Sequence, residues 1–156
     1  MSSFVKPIEA VDLTCLDESR FVHRYVGCIV LTQDFKILLQ ERGLDWHTFP
    51  GCLSTFGGSI EAGESPLQAL RRELKEELGA QVQEAEIVQL GAITEALSQY
   101  RDLIYVYFWQ DKRGTITGCY EGEAKAYEQV EAVLEHPKLM DDVRWLLSEC
   151  QKRQLL

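Results

Sequence analysis

Two segments rich in Val, Ile and Leu, residues 21–31 and 35–41, are split only by Thr32-Gln33-Asp34, and this pattern predicts a pair of strands. Residues 43–52, with Pro50-Gly51 inside them, read as a loop. Residues 87–94 and 103–110 predict two further strands, Asp111-Lys112-Arg113-Gly114 a turn leading to residues 115–117, and residues 118–125 a loop. From Asp141 onward Val143, Leu146, Leu147 and Cys150 recur at helical spacing, so the tail predicts an amphipathic helix after the break at Pro137. Strands interleaved with two or three helices predict an α/β chain with helices packed on a mixed sheet.

The central helix can be delimited more closely. Ser65 is a good N-cap, Pro66 suits the first helical position, Gln68 completes an S-x-x-Q capping box, and Gly79 suits the left-handed residue that ends a helix. Thirteen residues lie between these signals, from Pro66 to Leu78. At 100° per residue Leu67, Leu70, Leu74 and Leu78 form one stripe, which should face the core. On the adjoining flank Glu73, Glu76 and Glu77 stand at i, i+3 and i+4, so their carboxylates share one patch.

Like charges at that spacing each cost a helix a few tenths of a kcal/mol, roughly, unless something compensates them. A solvated acidic face is the ordinary explanation of such a patch. A hard divalent cation such as Mg²⁺ is the alternative, because it takes oxygen ligands and often bridges carboxylates to substrate phosphates.

The wider spacing decides between them. It reads Gly58-x5-Glu64-x7-Arg72-Glu73-Leu74-x-Glu76-Glu77-x-Gly79-Ala80 and resembles the Nudix box, G-x5-E-x7-R-E-U-x-E-E-x-G-U, with U a large aliphatic residue. Every Gly, Glu and Arg is in place, and only Ala80 departs, being apolar but small. With each fixed residue at about 5 to 7% usage, seven matches arise by accident in roughly one sequence in a million or fewer.

The resemblance implies an α/β/α sandwich with a mixed sheet between helices, and a loop-helix-loop that holds metals against a diphosphate. It implies Glu73, Glu76 and Glu77 as metal ligands, with the Gly57 carbonyl added from the preceding loop. It further implies that Arg72 holds and orients a box carboxylate and that Glu64 supports the loop. Downstream, Glu121 lies six residues before Tyr127, as does a further metal-site carboxylate in MutT-type members; Glu123 is the fallback. Mg²⁺ is the implied cofactor, with Mn²⁺ as a substitute. The reaction implied is substitution at phosphorus by water, in which metals neutralise the anhydride and lower the pKa of the water. A carboxylate accepts the proton, with Glu76 the first choice and Glu73 and Glu121 its rivals.

Length and charge agree with this reading. The 156 residues suit one domain, with the box at 58–80 and residues 1–20 as an N-terminal extension. The net charge of −9 opposes extended contact with nucleic acid phosphates, which leaves a small nucleotide-like molecule as the partner. Five cysteines make an odd number without a CxxC pair, a pattern that fits reduced thiols in a cytoplasm. The first residues lack the apolar run of a signal peptide, and the apolar stretch 103–109 is far short of the roughly 20 residues that cross a bilayer. No membrane role is expected, and the resemblance leaves a homodimer open.

One departure concerns the approach to the box. Many nucleotide-cleaving members read W-x-x-P-G-G there, whereas this chain has Leu53-Ser54-Thr55-Phe56-Gly57-Gly58, which puts base recognition by that segment in doubt. Trp46, Phe49, Tyr100, Tyr120 and Tyr127 are alternative stacking residues, although aromatics in such places more often pack the core or a loop. His23, His47 and His136 show no ligand spacing.

Three functions follow from the resemblance. The first is hydrolysis of a nucleoside diphosphate linked to another group: a (deoxy)nucleoside triphosphate cut to monophosphate and pyrophosphate, or a nucleotide sugar such as ADP-ribose. The second is a non-catalytic nucleotide-binding module, which normally goes with lost box carboxylates, and none is lost here. The third is an isomerase of isopentenyl diphosphate, suggested by Phe49-Pro50-Gly51; that chemistry uses a Cys where this chain has Thr55-Phe56-Gly57, and Cys52 sits too early.

Overall fold

The computed structural model describes residues 7–156. Its strands are β1 (Ile8–Val11), β2 (His23–Leu31), β3 (Ile37–Glu41), β4 (Leu53–Ser54), β5 (Phe56–Ser59), β6 (Ile87–Glu95), β7 (Asp102–Gln110) and β8 (Glu123–Tyr127). Its helices are α1 (Pro66–Leu78), α2 (Val130–Leu134) and α3 (Asp141–Lys152). The strands form a sheet in the order β1-β6-β7-β2-β3-β4, with β5 also paired to β2 and β8 to β3. β2 and β7 run parallel, from His23 beside Asp102 to Leu31 beside Gln110, and the other pairings are antiparallel. The sheet is therefore mixed.

Alternation along the strands gives the sheet two apolar faces, and helices cover both. Leu70, Leu74 and Leu78 of α1 are fully buried against Val26, Cys28, Phe56, Tyr107 and Trp109. Val143, Leu146, Leu147 and Cys150 of α3, with Val130 and Val133 of α2, cover Ile29, Leu39, Val106 and Phe108 on the other face. Each fully buried Leu contributes roughly 1.5–3 kcal/mol. The sandwich expected from the box is the one observed.

Helix α1 begins and ends where its signals predict. Ser65 Oγ accepts from the Gln68 amide at 3.1 Å and Gln68 Oε1 from the Ser65 amide at 2.9 Å, while Gly79 is left-handed at φ 65°. Leu67 is only half-buried, at the margin of the predicted stripe.

The structure departs from the sequence pattern at four places. Residues 8–11, inside the N-terminal extension, form an edge strand on β6, and Glu18 accepts a hydrogen bond from the Tyr105 hydroxyl; residues 1–6 of the extension lie outside the described residues. Residues 118–125 do not stay loop, because Glu123–Tyr127 pairs with the free edge of β3. Glu, Ala and Lys are poor strand formers, so that pairing comes from tertiary context rather than propensity. Residues 115–117 are irregular, held by buried Asp111, which accepts from the Thr115 and Ile116 amides at 2.8 and 3.0 Å. The short helix α2 has too few residues to show a helical period.

Leu53 and Phe56, which stand where relatives of the W-x-x-P-G-G type carry Trp and Pro, are fully buried in the core. They are unavailable to a ligand. His23 lies 3.4 Å from Asp102 and His136 3.0 Å from Glu41, and His47 is exposed. All five cysteines are free.

Candidate active site

Strand β5 crosses β2 with Gly57 opposite Gly27 and then turns toward α1. The crossing is tight: a Cβ on Gly57, whose φ is +145°, would lie 2.0 Å from the Val26 carbonyl oxygen. Only glycine fits there. This approach lets the Gly57 amide donate to Glu77 Oε1 at 2.8 Å. Gly58 faces the neighbouring acid, since its Cβ would lie 2.5 Å from Glu73 Oε1.

Glu77 is the one charged side chain of α1 that is buried, with 2% of its surface exposed. Its other oxygen accepts from Gln40 Nε2 at 3.2 Å. Burial is the largest influence on its carboxyl, with the charges of Glu73 and Glu121 adding to it, and together they push its pKa up to about 8. Burial likewise raises Glu73, against the opposing pull of Arg72. A carboxyl resists ionising where water is scarce and negative neighbours are close.

Arg72 organises the rest. Its Nε and one terminal nitrogen clasp the two oxygens of Glu64 at 2.7 and 2.9 Å, and that nitrogen also reaches the Ser59 carbonyl at 2.9 Å. Its other nitrogen reaches Glu73 at 2.9 Å and Glu76 at 3.4 Å. The two-point clasp holds Glu64 down at about 2 and raises Arg72 itself. Glu64 Oε1 also accepts from the Glu61 amide at 2.9 Å, which closes the turn before α1.

Glu121 and Glu123 part company. The Glu121 carbonyl accepts from Gln40 Nε2 at 3.0 Å, and its charge contributes to the raised carboxyls of both Glu73 and Glu77. Glu123 lies on β8 and pairs with Lys125 at 3.0 Å. The structure thus gathers Glu73, Glu76, Glu77 and Glu121 around one end of α1 and leaves Glu123 out.

These residues fit a divalent cation by chemistry. The donors are hard oxygens, negative charge is in surplus, and burial makes that surplus costly. The ligand geometry is not ready-made, for among the described residues no three carboxylate, imidazole or thiol side chains converge as a closed set. Glu73 and Glu76 instead turn toward Arg72.

Gln40 was not singled out by the sequence pattern. It is 3% exposed and ties Glu77 to the loop bearing Glu121. Its signal is a polar residue in the strand Ile37–Glu41 on the same face as apolar Leu38. A cleft of about 470 Å³ also escaped notice; it opens beside Gly57 and Gly58 on the α3 side of the sheet and is lined further by Tyr25, Arg42, Phe49, Leu97 and Asp142. Of the proposed stacking residues only Phe49 lines it; Trp46 lies under Arg42, 4.6 Å from its guanidinium, and Tyr120 bonds Thr117 at 2.8 Å.

The NUDIX domain family model matches residues 22–147. The chain belongs to the Nudix family. Among curated Nudix relatives, nucleoside triphosphatase NudI of Escherichia coli O139:H28 (strain E24377A / ETEC) is 41% identical over 64 residues, 41% of this chain and 45% of that protein. The match thus spans about half the length of that relative. The fold resembles a MutT protein from Methanosarcina mazei Go1, with a TM-score of 0.70, 19% identity and coverage of 86% of this chain and 96% of that one. It also resembles the Nudix domain of Shewanella oneidensis NrtR in complex with ADP ribose, with a TM-score of 0.67, 22% identity and coverage of 91% and 96%. Among the described residues, no helix of this Nudix chain is long and apolar enough to cross a membrane.

Proposed function

We propose that this single Nudix domain is a Mg²⁺-dependent pyrophosphohydrolase that cleaves a phosphoanhydride of a nucleoside diphosphate derivative, foremost a (deoxy)nucleoside triphosphate to monophosphate and pyrophosphate. The observation that carries the reading is the intact carboxylate group of α1, with Glu77 buried and raised to about 8 beside Glu73 and Glu121. Neutral carboxyls would not need four acids at one helix end; a bound cation would make the arrangement favourable. The NudI relatives are nucleoside triphosphatases, which supports this choice of substrate.

Glu73, Glu76 and Glu77, with Glu121 and the Gly57 carbonyl, would hold the metal. Once bound, the metal supplies charge neutralisation for the phosphate oxygens and an acidified water. The Gly57 amide and Gln40 fix Glu77 through one lone pair on each oxygen, leaving others free. Arg72 sets the orientation of Glu73 and Glu76 while Glu64 anchors its guanidinium. Glu76 is our assignment for the base: its side chain is 51% exposed and its tether to Arg72, at 3.4 Å, is long, so it can take a proton from water.

A second reading, hydrolysis of ADP-ribose or another nucleotide sugar, is supported by the ADP ribose carried by the NrtR neighbour. A screen for phosphate release with Mg²⁺, over nucleoside triphosphates, nucleotide sugars, ADP-ribose and dinucleoside polyphosphates, separates the two. Glu77→Gln serves as the blank, because the amide is isosteric with the protonated acid and should fold. Turnover by the variant equal to that of the unaltered protein, or no turnover of any substrate, would refute the assignment.

A further inference from the structure

The hairpin that joins β2 to β3 carries an aromatic residue in a backbone conformation that aromatic residues avoid. Phe35 is left-handed at φ 65°, in a turn closed by its own amide donating to the Thr32 carbonyl at 2.9 Å and by the Lys36 amide donating to Thr32 Oγ1 at 2.9 Å. Glycine or asparagine serves such a position with less strain. Packing within the chain does not compensate Phe35, which is 69% exposed. Backbone strain and an exposed aromatic ring at one position point to a contact outside the chain.

Beside that ring lies an open groove of about 430 Å³. Buried Leu31, Ile37 and Val130 form its apolar floor, and half-buried Leu155 and Leu156 form a wall. Glu128 and Glu131 stand exposed on its rim, and neither has an ion-pair partner among the described residues. The nearest cation in the chain order of the hairpin is Lys36, which follows the aromatic ring and is held only loosely, 3.9 Å from Asp34.

One face thus presents a projecting ring beside a hollow that can take it, and a cation beside the ring with acids beside the hollow. A twofold axis turns each of these features onto its complement, which is what an interface between identical chains requires. The net charge of −9 opposes self-association at large, but here the charges are of both signs and can be paired across the axis.

We propose that this face is the interface of a symmetric dimer, in which Phe35 of each copy enters the groove of the other and Lys36 meets Glu128 and Glu131 across the twofold axis. The groove holds no residue of the box and shares no lining residue with the cleft beside Gly57 and Gly58, so a second copy seated there leaves the carboxylates of α1 open. The dimer stands independently of the hydrolytic reading.

Sedimentation equilibrium of the 156-residue chain over roughly 1 to 300 µM should show a monomer–dimer equilibrium. Phe35→Asn removes the ring and suits the left-handed backbone. In dilute solution this variant should melt no lower than the unaltered protein, yet its dimer should be weaker by about a hundredfold or more, because symmetry removes the anchor twice. Lys36→Glu should also weaken the dimer, and Lys36→Glu combined with Glu131→Lys should restore it, a rescue that a purely structural role for either residue would not produce. A monomer at every concentration would overturn the proposal and leave the groove to a different protein. A dimer unmoved by Phe35→Asn, or one that the charge exchange fails to restore, would overturn it by placing the interface elsewhere.

Discussion

The Gly57 amide donates to Glu77 Oε1 at 2.8 Å across twenty positions of chain, and this bond joins the loop before the box to the helix that carries it. The bond exists because β5 passes so close to β2 that residue 57 has no room for a Cβ. Gly57 and Gly58 should therefore respond differently to substitution. Gly57→Ala meets the Val26 backbone at 2.0 Å with an unfavourable φ, and should lower Tm strongly or prevent folding. Gly58→Ala meets the end of a flexible side chain, Glu73, and should fold while losing most activity. Circular dichroism melts beside phosphate release would check the pair; equal Tm loss in both variants would contradict it.

Glu77 gives the metal-free protein a pH signature. The unfolded chain releases this proton near 4.5, whereas the folded protein keeps it up to about 8. Between those values the folded state binds more protons, so stability falls as pH rises. The fall should be on the order of a few kcal/mol at most. Asp142, raised to about 6, acts in the same direction at the lower end of the window. In EDTA, Tm should drop from pH 5 to pH 8, and Glu77→Gln should flatten the slope. Because metal binding needs deprotonated ligands, the rise in Tm on adding Mg²⁺ should be larger at pH 8 than at pH 6. A Tm independent of pH in the unaltered protein would remove the basis for both expectations.

The Arg72–Glu64 clasp works in the opposite sense. Glu64 is held at about 2 in the folded protein, so its contribution is present above 4.5 and is lost as pH falls toward 2. Arg72→Lys keeps the charge but cannot reproduce two parallel bonds to one carboxylate while also reaching Glu73. We expect a lower Tm, weaker acid dependence near Glu64, and a loss in kcat of about 10²-fold through misplaced carboxylates. Unchanged kcat in a folded Arg72→Lys protein would show that Arg72 does not orient the site.

Gln40 links two parts of the site that are far apart in sequence. Gln40→Leu fills a similar volume but leaves buried Glu77 Oε2 without its donor and the Glu121 carbonyl with the Cys119 thiol alone. An unsatisfied buried acceptor costs about 1–3 kcal/mol. The variant should melt lower and bind Mg²⁺ more weakly, which titration calorimetry would read. A Mg²⁺ affinity equal to that of the unaltered protein would mean that Gln40 supports the fold alone.

Local chemistry wrote the helix and its stripe into the chain. Ser65, Gln68 and Gly79 fix the ends of α1 through bonds between near neighbours, and the leucine period fixes its buried face, so both were legible. The resemblance of the spacing to the Nudix box likewise pointed to Glu64, Arg72, Glu73, Glu76 and Glu77, and 3.6 residues per turn keeps the last three on one flank of α1 whatever surrounds the helix. Tertiary packing decided the rest. Residues 8–11 and 123–127 became strands because the sheet had free edges for their backbones, a fact that no propensity records. Glu77 became buried while Glu76 stayed open because β5 and Gln40 close over one side of α1 only. The cleft that joins Phe49, Leu97 and Asp142 depends on two loops and the start of α3 meeting beside β2, and burial and proximity of that kind arise only when distant segments are brought together.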